Sequence, residues 1–407
     1  MMVEPRRHKW VFRSRFRRHS FGWRSQPAIK RVKEAVSEIK QAARKDAVLA
    51  AEGSVLFLEK LSPALEHVDS SSGAIGTAVN NAIAVLAGII ASAPADRSLR
   101  EVWLERLFDA HTADEIPYIE ELAEHWGELC VFPDLASAWA DRLLDGTRMA
   151  LSPDPATRRG FFQGTSACLS ALFVARRYDE ILKLLERDSI WPYQRWAIRA
   201  LVAQGKNAKA IRYAEGRRGP WASDSNIDRF CEAILLSAGL NDEAYERYGL
   251  TANRTGTYLA WFRAVVRKYP NKTAEEILQD LVARMPGEEG KWFATAKYAG
   301  LFELAIDLAN RSPCAPQTLS RAARDFAQSN SAFAVEAGIT ALRWLIAGEG
   351  YDITATDVLD AYTFTLSAAE HAGCVEQTGT RIRDLLANKR DSDEFATRIL
   401  IHRLNTP

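Results

Sequence analysis

The chain has few of the residues that mark a secreted or disulfide-stabilised protein. It contains five cysteines among 407 residues, and no two of them form a Cys-x-x-Cys pair. An odd and scattered set of cysteines disfavours a disulfide framework and favours a reducing compartment. The amino-terminal segment is charged but lacks the apolar core of a secretory signal, so we expect a cytoplasmic protein.

Long apolar runs and an excess of one charge are also missing. The longest apolar run, Ala82 to Ala93, has about 12 residues, which is too short to cross a bilayer. The formal net charge is +1, so no overall field attracts nucleic acid or a membrane surface. The sequence therefore predicts a soluble protein without a transmembrane segment.

The sequence carries no recognisable pattern of catalytic groups. The serine- and glycine-containing segment 66–77 lacks the Lys-Ser/Thr ending of a P-loop. We interpret it as a capping turn, with an anion site at a helix start as the alternative. No Ser/His/Asp arrangement, glycine-rich nucleotide loop or pair of catalytic carboxylates occurs, so we predict no enzyme, no cofactor and no resident metal.

A repeated helical hairpin occupies the stretch from Thr165 to Trp344. At each bend an anchor residue is followed, three positions later, by a small or apolar residue. The six copies are Tyr178-x-x-Ile181, Asn207-x-x-Ala210, Asn241-x-x-Ala244, Asn271-x-x-Ala274, Phe302-x-x-Ala305 and Ser331-x-x-Ala334. Successive anchors are 29, 34, 30, 31 and 29 residues apart. A fixed period of this length predicts paired helices that bury their apolar faces against neighbouring pairs.

Two register positions support the hairpins. Glycines just before three anchors suit a left-handed helix end, and alanines such as Ala203 and Ala238 are expected where the two helices come closest. The position ten residues before the anchor is filled by Cys, Ala or Trp, so its cysteines are interpreted as packing residues rather than nucleophiles. These residues are Cys168, Ala197, Cys231, Trp261 and Trp292.

The Gly-x-(Tyr/Asn/Phe)-x-x-Ala bend resembles that of the tetratricopeptide-type superfamily of paired-helix repeats. No copy carries the Trp-x-x-Leu-Gly opening of that family, so the resemblance is to a divergent member. It implies an all-α fold, a right-handed α-solenoid of antiparallel helix pairs with an N-terminal helical segment and a C-terminal helical cap. We predict a helical region at 27–152, the repeat array at 156–348 and capping helices at 349–407.

A second resemblance lies before the array. Leu58-Glu59-Lys60-Leu61, followed by the Asp-Ser-Ser-Ser-Gly-Ala-Ile-Gly turn at 69–76, is similar to an uncharacterised bacterial family of helical-repeat proteins. Some relatives in that family carry a SWIM-type zinc finger ahead of the repeats. This sequence has no Cys-x-Cys and Cys-x-His pair, so it lacks that finger, and the resemblance implies no chemistry.

Residues 1–26 combine arginines and aromatic residues with a single acid, Glu4. We predict a basic, flexible arm, either a solvated tail or a segment whose aromatic residues pack against the first helices. The alternatives are binding to nucleic acid, with cations on phosphates and rings stacked on bases, and binding to an anionic membrane surface. The candidate nucleic-acid-binding residues are Arg6, Arg7, Lys9, Arg13, Arg15, Arg17, Arg18 and Arg24.

Arginines recur on the first helices of the hairpins, twelve or eight residues before the anchors. The offset of four places them on one helical face, which we expect to line an inner groove. We therefore predict a non-catalytic scaffold that binds an acidic protein or peptide segment. The alternative is a solvated face balanced by acids such as Asp325. The candidate partner-binding residues are Arg195, Arg199, Arg229, Arg263 and Arg324.

An acidic stretch between residues 111 and 130 is the one enzymatic alternative. Glu121 and His125 are spaced one α-helical turn apart, as in many metal sites. A charged helix face is the preferred interpretation, because the Glu-x-x-His motif of carboxylate-bridged metal bundles does not occur twice. The residues concerned are His111, Glu115, Glu121, Glu124, His125, Glu128 and Cys130.

Overall fold

A computed structural model describes residues 8–154, 156–157, 160–219, 223–387 and 394–405. Over these residues the chain is all-helical and contains no β-strand. It forms two compact units, 1–223 and 224–407. The sequence-based boundaries near residues 152–156 and 348–349 both fall within a unit rather than between the two.

The first unit begins with short helices and continues into long ones. Its α-helices are α1 Phe12–Arg15, α2 Ser25–Ala43, α3 Ala47–Leu65, α4 Ala74–Ser92, α5 Arg97–Thr112, α6 Trp126–Cys130, α7 Pro133–Ala150, α8 Thr165–Val174, α9 Tyr178–Leu185, α10 Trp191–Ala203 and α11 Asn207–Glu215. A 3-10 helix, Glu120–His125, leads directly into α6.

The second unit has the same helical character. Its α-helices are α12 Asp224–Ser237, α13 Asn241–Ala244, α14 Leu250–Ala252, α15 Tyr258–Lys268, α16 Ala274–Ala283, α17 Phe293–Tyr298, α18 Phe302–Arg311, α19 Pro316–Phe326, α20 Ser331–Ile346, α21 Ala355–Ala372, α22 Val375–Ala387 and α23 Glu394–Asn405. A π-helical turn, Tyr245–Gly249, joins α13 to α14, and a 3-10 helix, Glu289–Trp292, precedes α17.

The bends of the hairpins lie where the repeat pattern places them. Five second helices begin at the anchor itself, and the remaining one, α16, begins three residues after Asn271. The glycine before the anchor adopts a left-handed conformation, with φ of 74° at Gly205, 76° at Gly239 and 75° at Gly300. The next amide then donates to a carbonyl five residues back, which satisfies the end of the first helix. These bonds are Lys206 N to Leu201 O, 2.9 Å, Leu240 N to Leu235 O, 3.0 Å, and Leu301 N to Ala296 O, 3.0 Å.

The small residues buried near the bend follow the anchor rather than preceding it. Ala203 and Ala238 are exposed, so the expectation that they lie between the helices is wrong. The buried residues lie instead in the first turn of the second helix. The residues buried there are Ile181, Ala210, Ala244, Ala305 and Ala334.

The same bend recurs beyond the predicted array, between α21 and α22. Gly373 has φ of 69°, and the Cys374 amide donates to Ala369 O at 2.9 Å. Helix α22 then begins at Val375, and Thr378, three residues later, is buried. These helices fall within the predicted capping region, but they are longer and their spacing departs from the period, so the repeat pattern does not include this hairpin.

Helix α4 is long and apolar enough to cross a membrane by length and composition. Its 19 residues begin at Ala74, before the apolar run of the sequence, and include the polar residues Thr77, Asn80 and Asn81. Along one side Ile75, Val79, Ile83, Leu86 and Ile90 are buried within the first unit. This arrangement is that of a core helix in a helical bundle.

A buried arginine joins the ends of two helices in the first unit. Arg100 of α5 is 1% exposed, and its guanidinium donates to Ile90 O at 3.1 Å, Ala93 O at 2.9 Å and Leu129 O at 3.2 Å. These carbonyls lie at the carboxyl ends of α4 and α6, where helix dipoles favour a cation. Arg100 therefore supplies hydrogen-bond partners that the helices leave free.

Residues 8–26, the described part of the predicted arm, pack onto the first unit. The rings of Phe12 and Phe16 are buried and lie 5.2 and 4.8 Å from the ring of Phe57 in α3. Glu38 of α2 accepts hydrogen bonds from the amides of Val11, 2.7 Å, and Phe12, 3.2 Å. For these residues the structure has the packed arrangement that the sequence interpretation includes, rather than that of a solvated tail.

We predict that Gly53→Ala destabilises the protein, because a Cβ at this position of α3 would overlap the buried Trp10 indole. Overpacking of this kind costs roughly 1–3 kcal/mol. Gly88→Ala in α4 is the control: its Cβ would meet nothing, and Ala stabilises a helix by about 0.5–1 kcal/mol relative to Gly. Urea unfolding of both variants measures the difference. Equal stabilities would contradict the packing of Trp10 against α3.

Candidate functional site

The second unit contains an open groove of about 740 Å³ between the amino-terminal turns of α18 and α20. Most of its lining is apolar, and three carboxylates stand among the apolar side chains. We call it the glutamate-rimmed groove. Its apolar residues are Leu301, Phe302, Leu304, Ile306, Ala332 and Phe333, and its carboxylates are Glu275, Glu303 and Glu336. An apolar surface with a few polar groups is typical of a binding site.

Local geometry explains why these side chains converge. The left-handed bend at Gly300 turns the chain so that Leu301 and Phe302 stand at the start of α18. Asn330 caps α20 by accepting from the Phe333 amide at 3.3 Å. The rings of Phe302 and Phe333 lie 4.8 Å apart, and Phe326 is 5.3 Å from each of them. Such a cluster of rings fixes the base of the groove.

The carboxylates of the groove differ in whether a cationic side chain pairs with them. Glu336 accepts two hydrogen bonds from Arg381, at 2.5 and 2.8 Å. Glu275 and Glu303 are exposed, and among the described residues no cation pairs with either. Glu275 accepts one hydrogen bond, from Gln279 at 3.2 Å. The rim therefore offers two carboxylates to a positively charged ligand.

The apolar surface continues past the groove. A second depression of about 350 Å³ shares Leu304 with it and is otherwise lined by Gln279, Val282, Ala283, Pro286, Glu289, Leu308 and Arg311. Both depressions lie along α18, the second helix of its hairpin. The predicted arginine row lies on first helices instead, so the groove is a surface that the sequence analysis did not identify. The signal was present as apolar residues on both sides of the anchor Phe302, at Leu301, Leu304 and Ile306.

The two predicted arginines in the first unit have partners on their own helix or nearby. Arg195 lies 3.4 Å from a carboxylate oxygen of Glu124 and donates from Nε to Pro192 O at 3.3 Å. The guanidinium of Arg199 lies 4.7 Å from the centre of the Trp196 ring. Of these two, Arg195 lines a cavity.

The three predicted arginines in the second unit are also engaged. Arg229 donates to Ala252 O at 3.0 Å, and Arg263 stacks 4.1 Å from the centre of the Tyr298 ring. Arg324 pairs with Asp325 at 2.8 Å, as the solvated-face alternative expects for that residue. None of these three residues lines the glutamate-rimmed groove.

The acidic stretch between residues 111 and 130 borders a cavity of about 680 Å³ in the first unit, which we call the acidic cavity. His111, Glu115, Glu121 and Glu124 line it. His125 turns away to pair with Glu128 at 3.0 Å, and Cys130 is buried. Glu121 and His125 belong to a 3-10 helix, in which residues four apart point in different directions. The described residues include no group of three or more His, Cys, Asp or Glu placed to hold a metal.

The candidate nucleic-acid-binding residues are divided. Arg6 and Arg7 lie outside the described residues. Arg15 pairs with Glu34 at 2.8 Å and Arg18 with Glu66 at 3.6 Å. The remaining cations are exposed, namely Lys9, Arg13, Arg17 and Arg24.

One aromatic residue of this segment, Trp23, is 72% exposed. Its carbonyl accepts from the Asp69 amide at 2.9 Å, which holds it beside the serine-rich turn. Within that turn Asp69 accepts from the Ser71 amide at 3.0 Å, and Gly73 has φ of 68°. The side chains of the turn thus serve its own backbone.

No protein-family model matches the chain, and no curated protein is similar to it. Function is therefore inferred from the geometry of the two units.

The buried cysteines are expected to be unreactive because of their surroundings. Burial raises the pKa of the Cys168 thiol to about 11, and that of Cys130 and Cys314 to about 12. Cys231 is buried as well, whereas Cys374 is half-buried. A thiol with a raised pKa carries little of the reactive thiolate at neutral pH.

We predict that Cys374 alone reacts rapidly with a disulfide reagent such as DTNB at pH 8 in the folded protein. The other four thiols should react only after denaturant exposes them, because burial blocks both access and ionisation. Absorbance at 412 nm measures the number of fast thiols. A Cys374→Ser variant is the control and should show no fast phase; a second fast thiol in the native chain would contradict the described packing.

Proposed function

We propose that the protein is a non-catalytic scaffold whose second unit binds a basic, apolar peptide segment of another protein. The observation that carries the proposal is the glutamate-rimmed groove, an apolar surface edged by the exposed carboxylates of Glu275 and Glu303. A segment with leucine or aromatic anchors flanked by lysine or arginine matches this surface in shape and charge. The sequence suggested an acidic partner for the arginine row, but these five arginines have internal partners, and the groove favours a basic one.

We also infer that the paired helices are repeats of a divergent tetratricopeptide-like, right-handed α-solenoid with a cytoplasmic location. The recurrence of one bend geometry, and of a buried position three residues after five of the six anchors, supports this inference. Arrays of this type present extended surfaces for peptide segments. The reduced, buried cysteines fit a reducing compartment.

The two components of the groove would contribute differently to binding. Burying a leucine-sized anchor contributes about 1.5–3 kcal/mol, whereas an exposed ion pair contributes about 0.2–1 kcal/mol. The apolar surface would therefore supply most of the affinity. The rim carboxylates would select the charge of the partner and speed its association.

We predict that Leu304→Asp and the double variant Glu275→Lys/Glu303→Lys weaken binding of a fluorescent Leu/Lys-rich peptide by roughly tenfold or more, since each removes one component of recognition. Fluorescence anisotropy with the full chain measures the dissociation constant. The rim variant should in addition lose the salt dependence of association.

Matched controls lie on the same unit outside the groove. Leu359→Asp and Glu370→Lys make the same chemical changes at exposed positions of α21 and should leave binding unchanged. A peptide with Glu in place of every Lys should bind the native chain weakly. If the acidic peptide binds better, or if the controls weaken binding as much, the proposal is wrong.

A second candidate function, association with single-stranded nucleic acid, is favoured by Trp23. Its 72% exposed ring stands beside the exposed cation Arg24, with Arg17 on the same segment. A ring of this kind offers a stacking surface for a base, and the arginines offer contacts to phosphates. The buried rings of Trp10, Phe12 and Phe16 are not available for stacking.

For this candidate we predict that Trp23→Ala weakens binding of a single-stranded oligonucleotide by about 1–3 kcal/mol, the value of one stacked base. Arg17→Gln with Arg24→Gln should reduce the salt dependence of binding, by about 0.7 in the log–log slope for each lost contact. Tyr351→Ala is the control, since Tyr351 is an 87% exposed ring in the second unit. Salt-insensitive binding, or equal binding by all variants, would exclude this function.

A further inference from the structure

Among the described residues that line it, the acidic cavity of the first unit has more acidic than basic side chains. Its carboxylates outnumber the single guanidinium of Arg195. Arg195 lies beside Glu124, and among the described residues no cation pairs with Glu115, Glu120 or Glu121. The carboxylates of the lining are Asp114, Glu115, Glu120, Glu121 and Glu124.

A buried histidine provides a second, independent indication that the cavity binds a ligand. His111 lines the cavity and is 1% exposed. Its Nε2 lies 3.1 Å from the carbonyl oxygen of Gln163, which can only accept, so Nε2 carries the proton. In the neutral ring Nδ1 is then an acceptor, and it is buried without a hydrogen-bond partner. Buried polar atoms are rarely left unsatisfied, so Nδ1 calls for an N–H or O–H donor.

The residues around His111 are held in place. The Gln163 side-chain amide donates back to His111 O at 2.5 Å. Asp114 accepts from the hydroxyl of Ser62 and from the Ile119 amide at 2.7 Å. Burial raises the pKa of the Asp114 and Glu124 carboxyls, which means that their charged forms lack the solvation they have in water. A bound cation would restore part of that lost stabilisation.

The remaining lining indicates the size and character of the ligand. Pro117, Ile190, Pro192 and the ring of Tyr193 provide an apolar wall, and the volume of about 680 Å³ is in the range of small-molecule sites. No three ligating side chains of the described residues converge as a metal requires. The wall suits methylene groups, and the carboxylates suit an organic ammonium group.

We propose that the acidic cavity binds an alkylammonium group, with the carboxylates and His111 Nδ1 accepting from the ammonium and the apolar wall contacting the alkyl chain. The group could belong to a free diamine or to the side chain of a lysine. This site is in the first unit, so it is independent of the glutamate-rimmed groove.

Isothermal titration calorimetry of the full chain tests the proposal, with 1,5-diaminopentane as the probe. The neutral 1,5-pentanediol and magnesium chloride serve as comparisons for the alkyl chain and for charge alone. We expect the diamine to bind, the diol not to bind, and magnesium not to displace the diamine at equal ionic strength. Displacement by magnesium at the concentration of the diamine would overturn the proposal, since it would reveal unspecific charge attraction.

Variants locate the site. Glu120→Gln/Glu121→Gln should lower the affinity for the diamine by roughly tenfold or more, because each charge-assisted hydrogen bond is lost. Glu128→Gln is the control: it lies on the same segment, pairs with His125 and does not line the cavity. Glu303→Lys in the groove should also leave the affinity unchanged. Equal losses in the cavity and control variants would overturn the assignment.

Two further measurements test the role of His111 and the source of the ammonium group. A long-range proton–nitrogen NMR spectrum should show the His111 Nδ1 resonance move on addition of the diamine, whereas an unchanged resonance would remove Nδ1 from the site. Nα-acetyl-lysine amide is titrated in parallel. Affinity equal to that of the diamine supports a lysine side chain as the ligand, and at least tenfold weaker binding supports a free diamine.

Discussion

A hairpin of two short helices cannot bury both of its apolar faces, and this constraint shapes both units. In five of the six pairs the residue three positions after the anchor is buried, as Ala210, Ala244 and Ala305 are. The faces left over must pack against the next pair. The left-handed bend makes this possible, because it reverses the chain within a few residues and satisfies the carbonyls at the end of the first helix.

The same geometry produces the surface proposed for binding. Because five of the six second helices start at the anchor, apolar residues lie directly beside the bend. In the second unit Leu301 and Phe302 occupy this place, and Phe333 of the following hairpin meets them. The glutamate-rimmed groove is thus a by-product of how adjacent hairpins stack, bordered by carboxylates that no cation of the described residues neutralises, Glu275 and Glu303.

The net charge does not reveal how the charged side chains are distributed between the fold and the surface. The chain is almost neutral overall, yet several of its arginines stabilise the fold. Among the described residues no cation pairs with Glu275 and Glu303 of the groove or with Glu120 and Glu121 of the acidic cavity. Arg100 is buried among three carbonyl oxygens, and Arg263 lies against an aromatic ring. Guanidinium groups suit such places because they are planar, rich in donors and weakly hydrated. The carboxylates left over at the groove and in the acidic cavity give both surfaces a negative character.

The sequence by itself determined the helical fold, the position of the bends and the packing role of Cys168 and Cys231, because these depend on spacing and on residues close in the chain. It did not determine which side of a hairpin forms a groove, or which charges are already paired. Trp10 packs against Gly53, and Arg195 lies beside Glu124, although each pair is far apart in the sequence. Contacts of this kind arise from the stacking of helices, so only the tertiary structure decides which surfaces remain for a partner.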